Sequence, residues 1–207
     1  HYLAWAPSRH PIMAAFLSSW PLAIFTLLAS TLMIGTACSS QSTDSKTLPL
    51  VIDFANDETW RPINDGVMGG LSEGQIEWSD GMHWMGETRL ENNGGFSSVR
   101  AEWGEYNLQD VNAITIRCKG EGGPFKLTME MSQRWWMPYA YASFEPSEDW
   151  QEISIEVEDI KWSQAFTGDL EALPLAQALG DVIRLGLMKY DGTAQAFDLE
   201  VSFIRFD

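Results

Sequence analysis

Two glycine-rich stretches carry many of the side chains in this sequence that could do polar chemistry. Residues 60–70 read W-R-P-I-N-D-G-V-M-G-G, and residues 91–96 read E-N-N-G-G-F. Carboxylate and amide side chains can bind sugar hydroxyls in a bidentate manner, because each offers two hydrogen-bonding atoms. The residues that could converge on a polar ligand, such as a sugar hydroxyl, a carboxylate or a partner backbone, are Asp65, Glu91, Asn92, Asn93 and Arg100.

The same residue types also suit tight turns, so a purely structural role for both stretches stays open. Glycine and asparagine reach positive φ at low cost, and the glycines in residues 66–70 and 94–95 permit close backbone approach. Asn64 or Asp65 can accept backbone N–H bonds in a local turn. Residues 66–70 are not a phosphate-binding loop, because no Gly-Lys-Ser/Thr ending follows them.

A third candidate region is aromatic. Residues 134–139 read R-W-W-M-P-Y and place Trp135, Trp136 and Tyr139 within six positions. Adjacent tryptophans on a strand point to opposite faces, so we expect at least one to be exposed or covered by a loop. An exposed aromatic ring could stack on a sugar or anchor a protein partner, and packing of both rings beneath a loop is the alternative.

Catalytic and metal-binding motifs are scarce. Beyond residue 37 the chain has one histidine, His83, and no pair of cysteines at metal-ligand spacing. Cys118 lies in an alternating run and is predicted to be a buried strand residue. The 29 acidic residues make chance pairs of carboxylates common, so spacing alone identifies no glycosidase pair. We predict a non-catalytic protein with no cofactor and no metal site.

The elements that must position these residues are strands. Apolar and polar residues alternate in residues 113–119, 125–131, 153–158 and 197–203, which indicates half-buried strands. Further strand candidates are residues 50–54, 75–79, 82–90, 96–101, 139–144 and 182–188. Helical periodicity is weak and best at residues 173–179. The pattern predicts an all-β fold, an antiparallel β-sandwich of jelly-roll type with at most one or two short helices.

The N-terminal segment predicts export. Residues 22–34 are apolar and uncharged, a length suited to a signal sequence that opens at Met13. Small residues then lead to Cys38, which predicts lipidation there; ordinary secretion and a retained membrane anchor are alternatives. We therefore divide the chain into an upstream extension and signal (1–37), a flexible tether (38–49) and one domain (50–207). The predicted location is the bacterial cell envelope, facing the periplasm, with membrane association through an N-terminal lipid anchor.

The formal net charge is −16, with 29 acidic against 13 basic residues. Such a charge disfavours nucleic acid as a partner, since phosphate backbones bind basic surfaces.

With this context, the two loops resemble the complex I intermediate-associated protein 30 family. The resemblance rests on N-D-G-V-M-G-G at residues 64–70 and L-E-N-N-G-G-F-S-S-V-R at residues 90–100, in this order. It continues through residues 141–144, D-W-Q-E-I at 149–153, I-R-L-G-L at 183–187 and F-D-L-E-V-S-F-I at 197–204, and so covers about residues 51–206. Arg89 and residues 121–138 depart from the family pattern.

The resemblance implies a galactose-binding-like β-sandwich and, in mitochondria, a chaperone-like role in the assembly of respiratory complex I. We therefore expect a protein partner in the membrane or envelope, and a carbohydrate-binding module on a lipoprotein tether is the alternative. A hydrolase is the third hypothesis. The candidate ligand- or partner-binding residues are Asn64, Asp65, Gly66, Met68, Gly69, Gly70, Glu91, Asn92, Asn93, Gly94, Gly95, Phe96, Arg100, Trp135, Trp136 and Tyr139.

Overall fold

Two antiparallel sheets make up the described part of the protein. The computed structural model describes residues 48–165, 167–171 and 178–207. The predicted signal sequence, Cys38 and most of the predicted tether lie outside the described residues, as does most of the predicted helix at 173–179. Among the described residues, no helix has the length and apolar character needed to cross a membrane.

The first sheet has six strands in the order β3-β4-β13-β6-β9, with β1 paired to the end of β13. The second has seven strands in the order β11-β10-β8-β7-β12-β5-β2. The strands are β1 Leu50–Asp53, β2 Arg61–Asn64, β3 Glu73–Trp78, β4 Met82–Glu87, β5 Ser97–Arg100, β6 Ala113–Glu121, β7 Phe125–Glu130, β8 Tyr139–Phe144, β9 Gln151–Glu156, β10 Lys161–Gln164, β11 Gly168–Leu170, β12 Arg184–Lys189 and β13 Ala196–Phe206.

The core lies between the two sheets and follows the alternation of the strands. In β7, Phe125, Leu127 and Met129 are fully buried among apolar neighbours, because successive side chains point to opposite faces of a strand. Trp84 of the six-stranded sheet packs against Phe125 of the other, with ring centroids 5.7 Å apart. The predicted antiparallel β-sandwich is confirmed.

Strands β2, β10 and β11 were not predicted, and each is only three or four residues long. Pro62 in β2 has no backbone N–H donor, so its presence argues against a strand when only the sequence is considered. In the structure, β2 lies at the edge of its sheet, where a proline is tolerated. Such short strands are too brief for alternation to distinguish them from loops.

The outer face of the seven-stranded sheet is partly covered. Thr128 and Glu130 of β7 point away from the core, on the face opposite Phe125 and Leu127, yet both are buried. The residues beside them in neighbouring strands are Gly186 and Arg184 of β12. This covered face is where the candidate site lies.

Candidate functional site

The two glycine-rich loops meet because the strands that carry them pair. A 3₁₀ turn, Asp65–Met68, follows β2, and another, Glu91–Asn93, precedes β5. Strands β2 and β5 are antiparallel neighbours, with Asn64 opposite Ser97. Both loops therefore adjoin the same end of this strand pair.

Asp65 joins the loops. Its carboxylate accepts hydrogen bonds from the Ser72 backbone N–H (2.9 Å), the Ser72 hydroxyl (2.5 Å) and the backbone N–H groups of Gly95 (2.7 Å) and Phe96 (3.2 Å). The residue is 1% exposed. Burial by itself raises the pKa of Asp65, but the hydrogen bonds from Ser72, Gly95 and Phe96 outweigh it and leave the pKa below its ordinary value.

Glycine is required on both sides of this carboxylate. A Cβ added at Gly70 would overlap the Asp65 carboxyl group, and one added at Gly94 would lie 2.6 Å from Asp65 Oδ2. Positive φ occurs at Gly69 (88°) and Gly95 (118°), and Asn92 and Asn93 also take left-handed conformations. The predicted special backbone geometry is therefore present in both loops.

The amide side chains of Asn64 and Asn92 make hydrogen bonds within the protein. Asn64 accepts a hydrogen bond from the Ser97 hydroxyl at 2.7 Å and donates one to the Gly74 carbonyl at 3.1 Å. Asn92 donates to the Gly69 carbonyl at 3.0 Å. These contacts fix the loops to one another and to the sheet.

Beside the joined loops, a cleft of about 900 Å³ opens on the outer face of the seven-stranded sheet. It brings together parts of all three regions singled out in the sequence. The predicted residues that line it are Met68, Asn93, Gly94, Phe96, Arg100, Trp135 and Tyr139. The predicted residues that do not line it are Asn64, Asp65, Gly66, Gly69, Gly70, Glu91, Asn92, Gly95 and Trp136.

Charged side chains form a buried cluster at one part of the cleft. Glu130 lies 3.3 Å from Arg100 Nη1 through one oxygen and 2.6 Å from Arg184 Nη2 through the other. The Arg184 guanidinium also lies 3.6 Å from the centre of the Trp103 ring. Two arginines thus share one carboxylate, and the cluster keeps one net positive charge.

Aromatic rings line the cleft at several points. Trp135 and Trp136 lie in the turn between β7 and β8, about half exposed, with their rings edge to face and centroids 6.0 Å apart. Because the two tryptophans lie in a turn, the expectation that neighbouring residues of a strand point to opposite faces does not apply to them. Both are exposed, and Trp135 lines the cleft. Tyr190 also lines it and meets Phe96 edge to face at 6.4 Å.

Tyrosines continue the same face towards the sheet edge. Burial raises the pKa of Tyr139, which lines the cleft. Burial and a 2.9 Å hydrogen bond to Asp169 raise the pKa of Tyr141 to about 12, so this hydroxyl stays protonated as a donor at neutral pH. Lys126 Nζ lies 4.5 Å from the Tyr141 ring centre.

Several lining residues were not predicted as site residues. Thr128 and Glu130 could have been found as the polar face of β7, whose alternation was predicted, but nothing in the sequence marks that face as part of a site. Tyr190 follows β12 and carries no local signal. The lining residues missed were Ile63, Val67, Thr128, Glu130, Met131, Ser132, Arg134, Met137, Pro138, Ser163, Gln164, Ala165, Thr167, Gly168, Met188 and Tyr190.

One group of metal-competent side chains occurs among the described residues, away from the cleft. His83, Asp198 and Glu200 lie on β4 and β13 with ligand atoms within 4.8 Å of one another. His83 Nε2 is 2.9 Å from Asp198, and Lys119 Nζ is 2.8 Å from Glu200. A lysine ammonium already neutralises one of these carboxylates, and the absence of a metal site stays a prediction.

Cys118 is fully buried, as predicted. Burial raises the pKa of its thiol to about 12, so the reactive thiolate is scarcely populated at neutral pH.

Comparison with known proteins gives one family match and several structural ones. The model of the family "Complex I intermediate-associated protein 30 (CIA30)" matches residues 52–201. No curated protein sequence matches the chain.

Two solved structures illustrate the fold. A family 11 carbohydrate-binding module from Clostridium thermocellum, in complex with a β-1,3-1,4-mixed-linked tetrasaccharide, is 12% identical, with 76% of this chain and 94% of that chain covered and a TM-score of 0.56. The family 11 module of the cellulosomal cellulase Lic26A-Cel5E of the same organism is 12% identical, with 78% and 95% covered and a TM-score of 0.54. At such identity the similarity shows the fold alone.

The family match spans both glycine-rich loops, the cleft-lining strands and most of β13, and the sandwich is the one that the resemblance implied. The chain belongs to the complex I intermediate-associated protein 30 (CIA30) family.

Proposed function

We propose that this domain is a non-catalytic binding module whose cleft on the outer face of the seven-stranded sheet takes an oligosaccharide. The observation that carries the proposal is the composition of the cleft, where Trp135, Tyr139 and Tyr190 stand with polar groups of Arg100 and Gln164 around one cavity of about 900 Å³. Aromatic faces stack on the apolar faces of sugar rings, and the polar groups fix hydroxyl orientation.

A cavity of this size, open on the face of a sheet, suits an extended ligand of several rings. The fold supports the proposal by analogy, because the similar family 11 module holds a tetrasaccharide. The residues of this cleft carry the proposal, since folds of one kind host unrelated functions.

The charges of the cleft support binding without catalysis. Glycoside hydrolysis commonly uses two carboxyl groups on either side of the bond to be broken. Of the described residues, Glu130 is the only carboxylate that lines the cleft, and Arg100 and Arg184 both pair with it. A hydrolase mechanism therefore lacks its second group there.

A second candidate is an assembly factor that holds a membrane or envelope protein. Family membership supports it, and so do apolar side chains on the first loop at the edge of the cleft, where Val67 is 78% and Met68 53% exposed. Exposed apolar groups of this kind serve as anchors in protein interfaces.

Export and tethering through Cys38 form part of both candidates and rest on the sequence of residues 13–38. A lipid-anchored protein would label with a clickable palmitate analogue in the bacterial host and fractionate with membranes. The Cys38→Ala variant would lose the label. Labelling that survives this substitution would contradict lipidation at Cys38.

The test of the sugar proposal is a glycan array followed by calorimetry of the best ligand with the full chain. Trp135→Ala should weaken binding about 5- to 13-fold, the loss expected for one stacking contact of about 1–1.5 kcal/mol. Trp150→Ala is the matched control, because Trp150 is similarly exposed but contacts Arg117 and Lys119 of the other sheet. A stable protein partner from envelope extract, with no glycan signal, would favour the assembly-factor candidate instead.

A further inference from the structure

The charge of the cleft is opposite to that of the protein. The chain carries 29 acidic and 13 basic residues, yet the charged residues among those described that line the cleft are Arg100, Arg134 and Glu130. The side chains that line the cleft therefore carry one net positive charge on an acidic molecule, and the charge near a site influences which ligands it attracts.

The register of the strands explains how Arg100 reaches this position. Gly186 of β12 lies opposite Arg100 of β5 on one side and opposite Thr128 of β7 on the other. A Cβ at Gly186 would lie 2.8 Å from the Thr128 hydroxyl and 3.2 Å from Arg100 Cγ. The missing side chain at Gly186 thus leaves the space in which Arg100 extends across β12 to Glu130.

Arg100 has donors left over. Its Nε donates to the Ser98 hydroxyl at 3.3 Å, and its Nη1 lies 3.3 Å from Glu130. In the part of the chain that the structure describes, no hydrogen bond engages Nη2. Arg184 takes the shorter contact to Glu130, at 2.6 Å, so Arg100 is the less neutralised of the two arginines.

The surroundings of Arg100 penalise its charge. Burial and the nearby Arg184 lower the pKa of the Arg100 guanidinium, and Glu130 offsets this effect only in part. An arginine stays protonated in proteins, so the penalty falls on the free energy of the cluster, and an additional anion beside it would relieve that penalty.

We propose that the cleft selects acidic oligosaccharides and that Arg100 binds a sugar carboxylate. This inference rests on the proposed sugar-binding function and names its ligand class. A planar guanidinium fork matches the two oxygens of a carboxylate, and the resulting charge-assisted bonds are about twice as strong as neutral ones. The exposed Arg134 at the cleft adds attraction for the same charge.

The test compares matched pairs of oligosaccharides on the full chain by calorimetry. Each pair has a uronate oligomer (galacturonate, glucuronate or mannuronate) and the neutral oligomer obtained by reducing its carboxyl groups. The acidic member should bind at least about tenfold more tightly in one pair, as expected for a hydrogen bond to a charged group. Its affinity should fall at high salt, while that of the neutral member should not.

Variants separate the guanidinium fork from simple charge. Arg100→Gln should abolish the preference for the acidic member, and Arg100→Lys should restore it only in part, because lysine keeps the charge but loses the fork. Arg117→Gln removes the same charge from a partly exposed position on β6 and should leave the preference unchanged. Thermal unfolding of each variant shows whether it is folded, and the wild-type comparison of ligand pairs needs no variant.

The outcomes are distinct. Neutral oligomers that bind as tightly as their acidic counterparts would overturn the selection for carboxylates and leave the sugar-binding function standing. Binding of no pair would overturn the sugar-binding function, and this inference with it. A preference for acidic members that persists in a folded Arg100→Gln variant would assign recognition to another residue and overturn the role of Arg100.

Discussion

Asp65 and Arg100 are both charged, both largely buried, and both lie where a glycine leaves room for them. Around Asp65, four donors from Ser72, Gly95 and Phe96 engage the carboxylate. Around Arg100, one shared carboxylate and one hydroxyl engage part of the guanidinium. The first group is complete without a ligand, and the second is not.

This difference distinguishes two charged residues whose roles look alike in sequence. A buried charge whose hydrogen-bonding capacity is used within the chain stabilises the fold. One with unused donors in a cleft has capacity for a ligand. Among the loop side chains, Asn64, Asp65 and Asn92 therefore hold the loops together, whereas Arg100 on the neighbouring strand has open donors.

The largest effect is expected at Asp65. Asp65→Asn replaces an anion that accepts four hydrogen bonds with an amide that cannot accept them all, and should cost about 3–5 kcal/mol of unfolding free energy. Urea unfolding measures it. Asp198→Asn is the control, since Asp198 is a more exposed carboxylate with one contact, to His83, and should cost less than about 1 kcal/mol. Equal losses would contradict the central role of Asp65.

Removing the shared carboxylate should cost more than removing one of its arginines. Glu130→Gln leaves Arg100 and Arg184 close together without an anion and should cost about 2–4 kcal/mol. Arg100→Gln leaves the 2.6 Å pair of Glu130 and Arg184 intact and should cost about 1 kcal/mol. The reverse order in chemical unfolding would show that Arg100 is no less neutralised than Arg184.

Gly94 and Gly66 test the close packing around Asp65. A methyl group at Gly94 would lie 2.6 Å from Asp65 Oδ2, so Gly94→Ala should cost about 2 kcal/mol. Gly66 has no neighbour within 4 Å of an added Cβ and no positive φ, so Gly66→Ala should change stability by less than about 1 kcal/mol. Thermal unfolding of the two variants gives the comparison directly, and a larger loss at Gly66 would contradict it.

The smallest effect is expected from pH. The pKa of Asp65 is lower in the folded protein than its ordinary value of 3.8, so its ionisation stabilises the fold above that value and this contribution is lost as pH falls below it. The difference in melting temperature between the wild type and Asp65→Asn should therefore narrow in acid, by a small part of its value at neutral pH. A gap that stays constant from pH 6 to about pH 2.5 would contradict the lowered pKa.

The sequence predicted much of the fold, because alternation in residues 113–119 and 125–131 reports directly which side chains face the core. The glycines and asparagines of the two loops also indicated tight turns, with a purely structural role left open. The sequence did not show whether Asp65 binds a ligand or backbone N–H groups, because a carboxylate at this position suits both. Arg100 and Trp135 were predicted as candidates, but Glu130, Arg184 and Tyr190 join them only through strand order and register, which short patterns do not determine.

Strand β13 also sets the order in which the domain can form. On one side, β13 pairs with β4 through residues 196–201 and with β1 through residues 203–206; on its other side it pairs with β6. The first strand of the domain, Leu50–Asp53, thus finds its partner about 150 residues later in the chain. During synthesis, the six-stranded sheet lacks its central strand until β13 has been translated. Folding must accordingly wait for nearly the whole domain and close through its most distant contacts, a topology that favours slow folding.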